Sequence, residues 1–103
     1  MAYKLIVSID AHNDVEEIAA YIAYEIKNAQ AASRFLDNVE NSYRQIADNP
    51  FMYALCEDTR LHNMGYRKVV IKNYLVIYRV DEANKTAYVT RVIYVARDYA
   101  KLI

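Results

Sequence analysis

The chain holds one glycine, one proline and one cysteine in 103 residues. So few breakers leave little room for linkers, and the elements are expected to follow one another closely. The lone cysteine, Cys56, excludes an internal disulfide and suits a reducing cytoplasm. Beside it stand only two histidines, His12 and His62, far apart in sequence, so no metal-ligand set is expected. A single glycine also excludes a phosphate-cradling glycine loop, and no cofactor is expected. No apolar run approaches the length of a membrane span, and no charged-then-apolar leader opens the chain. Neither a membrane partner nor export is therefore expected.

What is present is the composition of one ordinary globular domain over residues 1–103, 55% hydrophobic and 25% charged. The formal net charge is zero, but it is unevenly placed. Residues 1–64 carry 5 Lys/Arg against 10 Asp/Glu, and residues 65–103 carry 8 against 3. A basic C-terminal part suits an anionic partner. It is read equally well as each part solvating its own exposed face.

Tyr3, Leu5, Val7 and Ile9 alternate, which predicts a strand with these four on one face. Asp10 is a plausible N-cap for a helix from about Ala11 to about Lys27, with Asp14, Glu16 and Glu17 near the positive end of its dipole. Val15, Ile18, Ala19, Ile22 and Ile26 form its expected buried stripe. Asn28 ends that helix and caps the next. Ala32, Phe35, Leu36, Val39, Tyr43 and Ile46 repeat at helical steps until Asp48-Asn49-Pro50 ends them. From Phe51 to Met64 periodicity is lost, which predicts a connection holding one short turn of helix. Tyr66 to Lys72 and Tyr74 to Val80 read as a hairpin, with Lys72-Asn73 at its turn and Asn73 tolerating a left-handed backbone. Thr86 to Val95 is the last strand, and Ala96 to Ile103 adds a final turn. The expected class is α+β, β-α-α-β-β-β: an antiparallel two-helix hairpin packed on a largely antiparallel sheet.

Several local patterns sit in this order. They are Asp14-Val15-Glu16-Glu17-Ile18-Ala19-Ala20-Tyr21-Ile22, Ala29 to Phe35, Ile46-Ala47-Asp48-Asn49-Pro50 and Gly65-Tyr66-Arg67-Lys68. Two more follow: Asn73-Tyr74-Leu75-Val76-Ile77-Tyr78-Arg79-Val80 and Arg91-Val92-Ile93-Tyr94-Val95-Ala96-Arg97-Asp98-Tyr99. Together they resemble the RelE/ParE superfamily of bacterial toxins over nearly the whole chain. The resemblance implies a growth-inhibiting toxin of the plasmid-stabilisation type, encoded beside an antitoxin that binds and silences it. An exposed groove between helices and sheet would accept an amphipathic antitoxin segment, and the basic part would take acidic contacts.

Two chemistries divide the superfamily. The nuclease branch cuts messenger RNA on the ribosome, using arginines and lysines for charge and a Tyr, His or Glu for proton transfer. Aligned on Tyr78-Arg79-Val80, the position of one key arginine holds Leu75. The ParE-like branch inhibits DNA gyrase without being an enzyme. Its members carry an apolar residue there, in a run much like Tyr74-Leu75-Val76-Ile77-Tyr78-Arg79-Val80. The resemblance therefore leans to a non-enzymatic gyrase inhibitor. If the chain is instead an endoribonuclease, Arg67, Lys68, Arg97 and Tyr99 are the catalytic candidates, converging at one sheet end with Glu57 or His62 as a base. Arg67, Lys68, Arg79, Arg91 and Arg97 are the candidate binding cations. A third reading is a degenerate member that only binds an antitoxin. The plainer alternative is that Arg67 and Lys68 are solvated strand residues and Tyr99 anchors the tail. The eleven tyrosines mostly suit core and rim packing.

Overall fold

A strand, two long helices and a three-stranded meander succeed one another in a computed structural model that describes residues 3–103. Strand β1 (Lys4–Val7) feeds helix α1 (Ile9–Ala20), which runs on as a π-helical turn over Tyr21–Glu25. Helix α2 (Ala29–Asp48) returns, and the short helix α3 (Thr59–Asn63) lies in the connection. The meander is β2 (Tyr66–Ile71), β3 (Tyr74–Asp81) and β4 (Thr86–Tyr94), and a 3-10 turn over Tyr99–Leu102 closes the chain. The sheet order is β1-β4-β3-β2, antiparallel except where β1 joins β4 in parallel. The expected α+β class and element order are both present.

The central strand is covered on both faces. Leu75, Val76, Ile77 and Tyr78 of β3 are each at most 2% exposed, because α1 and α2 cover one face and a second apolar layer covers the other. On the helix side, Val76, Tyr78, Val89 and Val92 meet Ile22, Phe35, Val39 and Ile46. On the opposite face Leu75, Ile77, Ile93, Tyr66 and Cys56 pack with Leu61 of α3, roofed by Tyr99, Leu102 and Ile103. The expected short helix in the connection and the final turn of the tail thus share one purpose, covering the second face.

Several local expectations need correction. The first strand ends at Val7, and Ile9 is helical and 80% exposed. Ser8 rather than Asp10 is the N-cap: its hydroxyl accepts from the Ala11 N–H at 2.9 Å and donates to the Thr90 carbonyl at 2.7 Å. One small side chain thereby starts α1 and ties it to β4. Ile26, expected in the buried stripe, is 55% exposed, because the π turn winds the chain wider and carries it off the core face. Leu36, placed in the α2 stripe, is also 44% exposed. Lys72 (φ 51°), not Asn73, takes the left-handed conformation at the β2–β3 turn. The Asn28 cap is as expected, its side chain accepting from the Ala31 N–H at 3.0 Å after Lys27 (φ 60°) reverses the chain.

Sheet edges are managed locally. Beyond Val89, where β1 stops, α1 takes over the edge of β4: the Ser8 N–H donates to the Val89 carbonyl at 2.9 Å, and Asp14 accepts from the Val92 N–H at 3.0 Å. On the far side, the Cys56 N–H reaches the Tyr66 carbonyl (2.8 Å) and the Lys68 N–H reaches the Ala54 carbonyl (3.2 Å), covering the first half of the β2 edge. Among the described residues no helix is long and apolar enough to cross a membrane.

Candidate functional site

Arg67 and Lys68 are neighbours on a strand, so their side chains leave opposite faces of the sheet. Arg67 turns to the chain that leaves α2. Its Nη1 donates to the Tyr53 carbonyl at 2.6 Å, and its guanidinium lies 5.2 Å from the Phe51 ring centre. Lys68 turns to the second core, with its ammonium 6.0 Å from the Tyr99 ring centre and 3.8 Å from a Glu57 carboxylate oxygen. The tail brings Tyr99 there because Arg60 Nη2 donates to the Ala100 carbonyl at 2.5 Å and draws the 3-10 turn over the sheet.

Two of the four proposed catalytic residues, Lys68 and Tyr99, thus come together with Glu57. Arg67 belongs to the other face. Arg97 lies beyond the end of β4, beside α1, where it lines a small hollow with Asp14, Glu17 and Ile18. His62 keeps its Nδ1 3.2 Å from the Cys56 carbonyl. Burial, followed by the charges of Cys56 and Glu57, holds the Tyr99 phenol above its ordinary pKa and so favours its neutral form. Burial likewise raises the Cys56 thiol, against the opposing pull of Lys68. One ammonium already paired with a carboxylate gives little net charge to stabilise an anionic transition state. Leu75, 2% exposed, fills the neighbouring core with hydrocarbon.

The other basic candidates divide as sharply. Arg91 is held by Asp14 through two bonds, Nε to Oδ2 at 2.7 Å and Nη2 to Oδ1 at 2.9 Å. The Asp14 hydrogen bond raises the Arg91 pKa further, outweighing partial burial. That guanidinium fixes α1 on β4, so of the candidate binding cations it is the one already engaged by a carboxylate through two bonds. Arg79 remains exposed, its guanidinium 4.8 Å from the Tyr88 ring centre. Among the described residues no three His, Cys, Asp or Glu side chains gather closely enough to hold a metal ion.

The larger concave feature wraps around the β2–β3 turn. A hollow of about 210 Å³ lies between Ile22, Ile26, Phe35, Ile71 and Tyr74, flanked by Arg34 and Lys72. It runs into a second of about 640 Å³ through the shared residues Ile26, Asn73 and Tyr74, and that one adds Glu17, Tyr21 and Tyr94. Its floor is aromatic: Phe35, Tyr74 and Tyr94 stack edge to face with centres 5.1 and 5.7 Å apart. Tyr21, Ile26 and Tyr94 are each 45–55% exposed. Among the described residues Arg34, Lys72 and Arg97 form no ion pair. The result is an apolar channel with two free cations, Arg34 and Lys72, on its rim, suited to an amphipathic acidic segment, while Arg97 stands in the adjoining hollow beside Asp14 and Glu17. A groove between helices and sheet was expected from the sequence, but not these residues. The signal for them is the set Tyr21, Tyr74 and Tyr94, a residue type that suits core and rim packing first and a partner contact second.

Residues 5–99 match the family model described as the ParE toxin of type II toxin–antitoxin system, parDE. Among solved structures, a chromosomal ParDE toxin–antitoxin system from P. aeruginosa superposes with a TM-score of 0.71 at 15% identity, covering 91% of this chain and 97% of that one. The toxin–antitoxin complex RelBE2 from Mycobacterium tuberculosis gives 0.64 at 16% identity, with 91% and 99% covered. The intact E. coli RelBE toxin–antitoxin complex gives 0.61 at 15% identity, with 93% and 100% covered. At these identities the likeness is one of fold. No curated protein matches the chain.

Proposed function

The chain belongs to the ParE toxin family of type II toxin–antitoxin systems, and on that premise we propose that it arrests growth by binding DNA gyrase in the cytoplasm rather than by cutting RNA. The observation that carries this reading is Leu75. At the position where the resemblance to the nuclease branch calls for an arginine, this chain buries a leucine, 2% exposed, under its own C-terminal turn. A cation there would have to be buried without water, and hydrocarbon in its place can bind but cannot neutralise a phosphorane. The zero net charge supports the same choice, since binding dense phosphate gains from a basic surface.

A cognate antitoxin silences the toxin through the channel around the β2–β3 turn. The related ParDE and RelBE proteins were solved as toxin–antitoxin systems or complexes. An amphipathic segment would set apolar side chains against Tyr21, Ile26, Tyr74 and Tyr94 and acidic ones against Arg34 and Lys72. The second reading, ribosome-dependent cleavage of mRNA, is favoured by one observation, the approach of Lys68, Glu57 and Tyr99. Induction in cells separates the two. The binding reading expects growth arrest with intact message in primer extension, relieved by the product of the adjacent reading frame. Codon-linked cuts that vanish in Lys68→Ala and Tyr99→Phe would replace it with the nuclease. Absence of arrest would leave only an antitoxin-binding protein.

A further inference from the structure

At the other end of β2 from the channel, the chain leaving α2 makes a tight turn that presents two large apolar side chains side by side. Phe51 is 43% exposed and Met52 54%. A single exposed apolar residue needs no explanation, but this pair sits on an unusually well-held backbone. The Met52 N–H donates to the Asn49 carbonyl at 3.2 Å. The buried Tyr78 hydroxyl donates to the Pro50 carbonyl at 2.6 Å, and Arg67 clamps the Tyr53 carbonyl at 2.6 Å. Phe51 is then fixed between the Arg67 guanidinium, 5.2 Å from its ring centre, and the edge of Tyr3, at 5.9 Å. Lys85 stands 5.2 Å over the Tyr3 ring. Among the described residues neither Arg67 nor Lys85 has a carboxylate partner.

We propose that the Phe51–Met52 turn is a docking ledge for the toxin's target protein, whose matching surface is an apolar pocket rimmed by carboxylates. Aromatic residues, Met and Arg are the types that protein interfaces concentrate, and a pre-ordered anchor loses little conformational freedom on binding. Two cations, one of them already donating to a carbonyl, are too few for a nucleic-acid surface, which needs several phosphate contacts. Arg67 and Ile71 stand at opposite ends of β2, about 13 Å apart at ~3.3 Å per residue. The ledge and the channel therefore offer separate surfaces to target and antitoxin. The inference rests on the chain's being a protein-binding toxin, and it gives that toxin a face.

Because Cys56 is completely buried, Met52→Cys supplies one accessible thiol that a bulky maleimide can cap on the folded protein. Purified gyrase supercoiling is measured with the unlabelled and capped M52C protein and with F51S, alongside capture by the adjacent gene's product. Growth arrest on induction is scored for F51S and M52K. The expected result is at least a tenfold loss of inhibition for F51S and capped M52C, a smaller loss for uncapped M52C, whose shorter side chain gives up part of the contact, and unaltered capture. Arg34→Glu should do the reverse, weakening capture and sparing inhibition. Should the wild-type protein leave gyrase unaffected, the gyrase assignment falls. The ledge then stands if F51S and M52K abolish arrest while keeping capture. Full inhibition or arrest by F51S and M52K would overturn the ledge. So would F51S-sensitive retention of single-stranded RNA or DNA, which would make this a nucleic-acid surface.

Discussion

Replacing Asp14 with alanine removes the one carboxylate that joins helix α1 to the part of β4 that β1 does not reach. Three donors lose their acceptor together: Arg91 Nε at 2.7 Å, Arg91 Nη2 at 2.9 Å and the Val92 N–H at 3.0 Å. Bonds to a charged group contribute about 1.5–3 kcal/mol each, but they are not additive when they share one acceptor. Breaking a buried pair by deleting one member costs ~3–5 kcal/mol. The Asp14 and Arg91 side chains are 12% and 21% exposed, so water reaches the orphaned groups in part. The lower end applies, about 3 kcal/mol. For a domain of this size each kcal/mol moves the midpoint by roughly 4–8 °C, so D14A should melt on the order of 12–24 °C lower. Asp14→Asn keeps an acceptor oxygen and should lose about half as much. A double-mutant cycle with Arg91→Ala, followed by circular dichroism, should return a coupling of about 2 kcal/mol. A D14A midpoint within about 4 °C of wild type, or negligible coupling, would refute the assignment of Arg91 as a structural strut and return it to the pool of free cations.

Tyr43 buries its hydroxyl without a hydrogen-bonding partner among the described residues, so Tyr43→Phe should stabilise by about 1 kcal/mol in urea titration. Burial, then the Asp14 charge, pushes the Tyr43 pKa from 10.0 to about 12. A folded pKa above the unfolded one gives stability that is whole below pH 10 and drains as pH rises toward 12, and Y43F should make that alkaline limb shallower. Tyr78→Phe, which deletes the 2.6 Å bond to the Pro50 carbonyl, should cost about 1–2 kcal/mol and speed proteolysis at the Phe51–Met52 turn. An unchanged cleavage rate would show that this bond does not hold the turn. Cys56, fully buried, should react with a thiol reagent only as the protein unfolds, and prompt labelling of the native protein would contradict the second core.

What the sequence made legible was local. The Asn28 cap acts three residues away, the β2–β3 hairpin joins two apolar, β-branched runs across a short polar turn, and α2 ends two residues before Pro50; each follows from neighbouring residues. Ser8 displaced Asp10 as a cap because the Thr90 carbonyl, 82 positions along the chain, gives the serine hydroxyl a second partner. The partner of Arg91 is Asp14, 77 positions earlier. Ile26 left the core because a π turn, which hydropathy does not encode, rewound the helix. Arg67 and Lys68, adjacent on one strand, belong to opposite faces of the sheet by the period of two that any strand imposes. The burial of Leu75 could not be read from its neighbours either, since its cover comes from the C-terminal turn, more than twenty residues later.

The central claim, a toxin that binds gyrase and does not cut RNA, is tested most directly by supercoiling of relaxed plasmid by purified gyrase across a titration of this protein. The account predicts dose-dependent loss of supercoiling, with accumulation of cleaved gyrase–DNA complexes, reversed by the adjacent gene's product. Undiminished supercoiling at large molar excess of a folded protein that still arrests growth would contradict it.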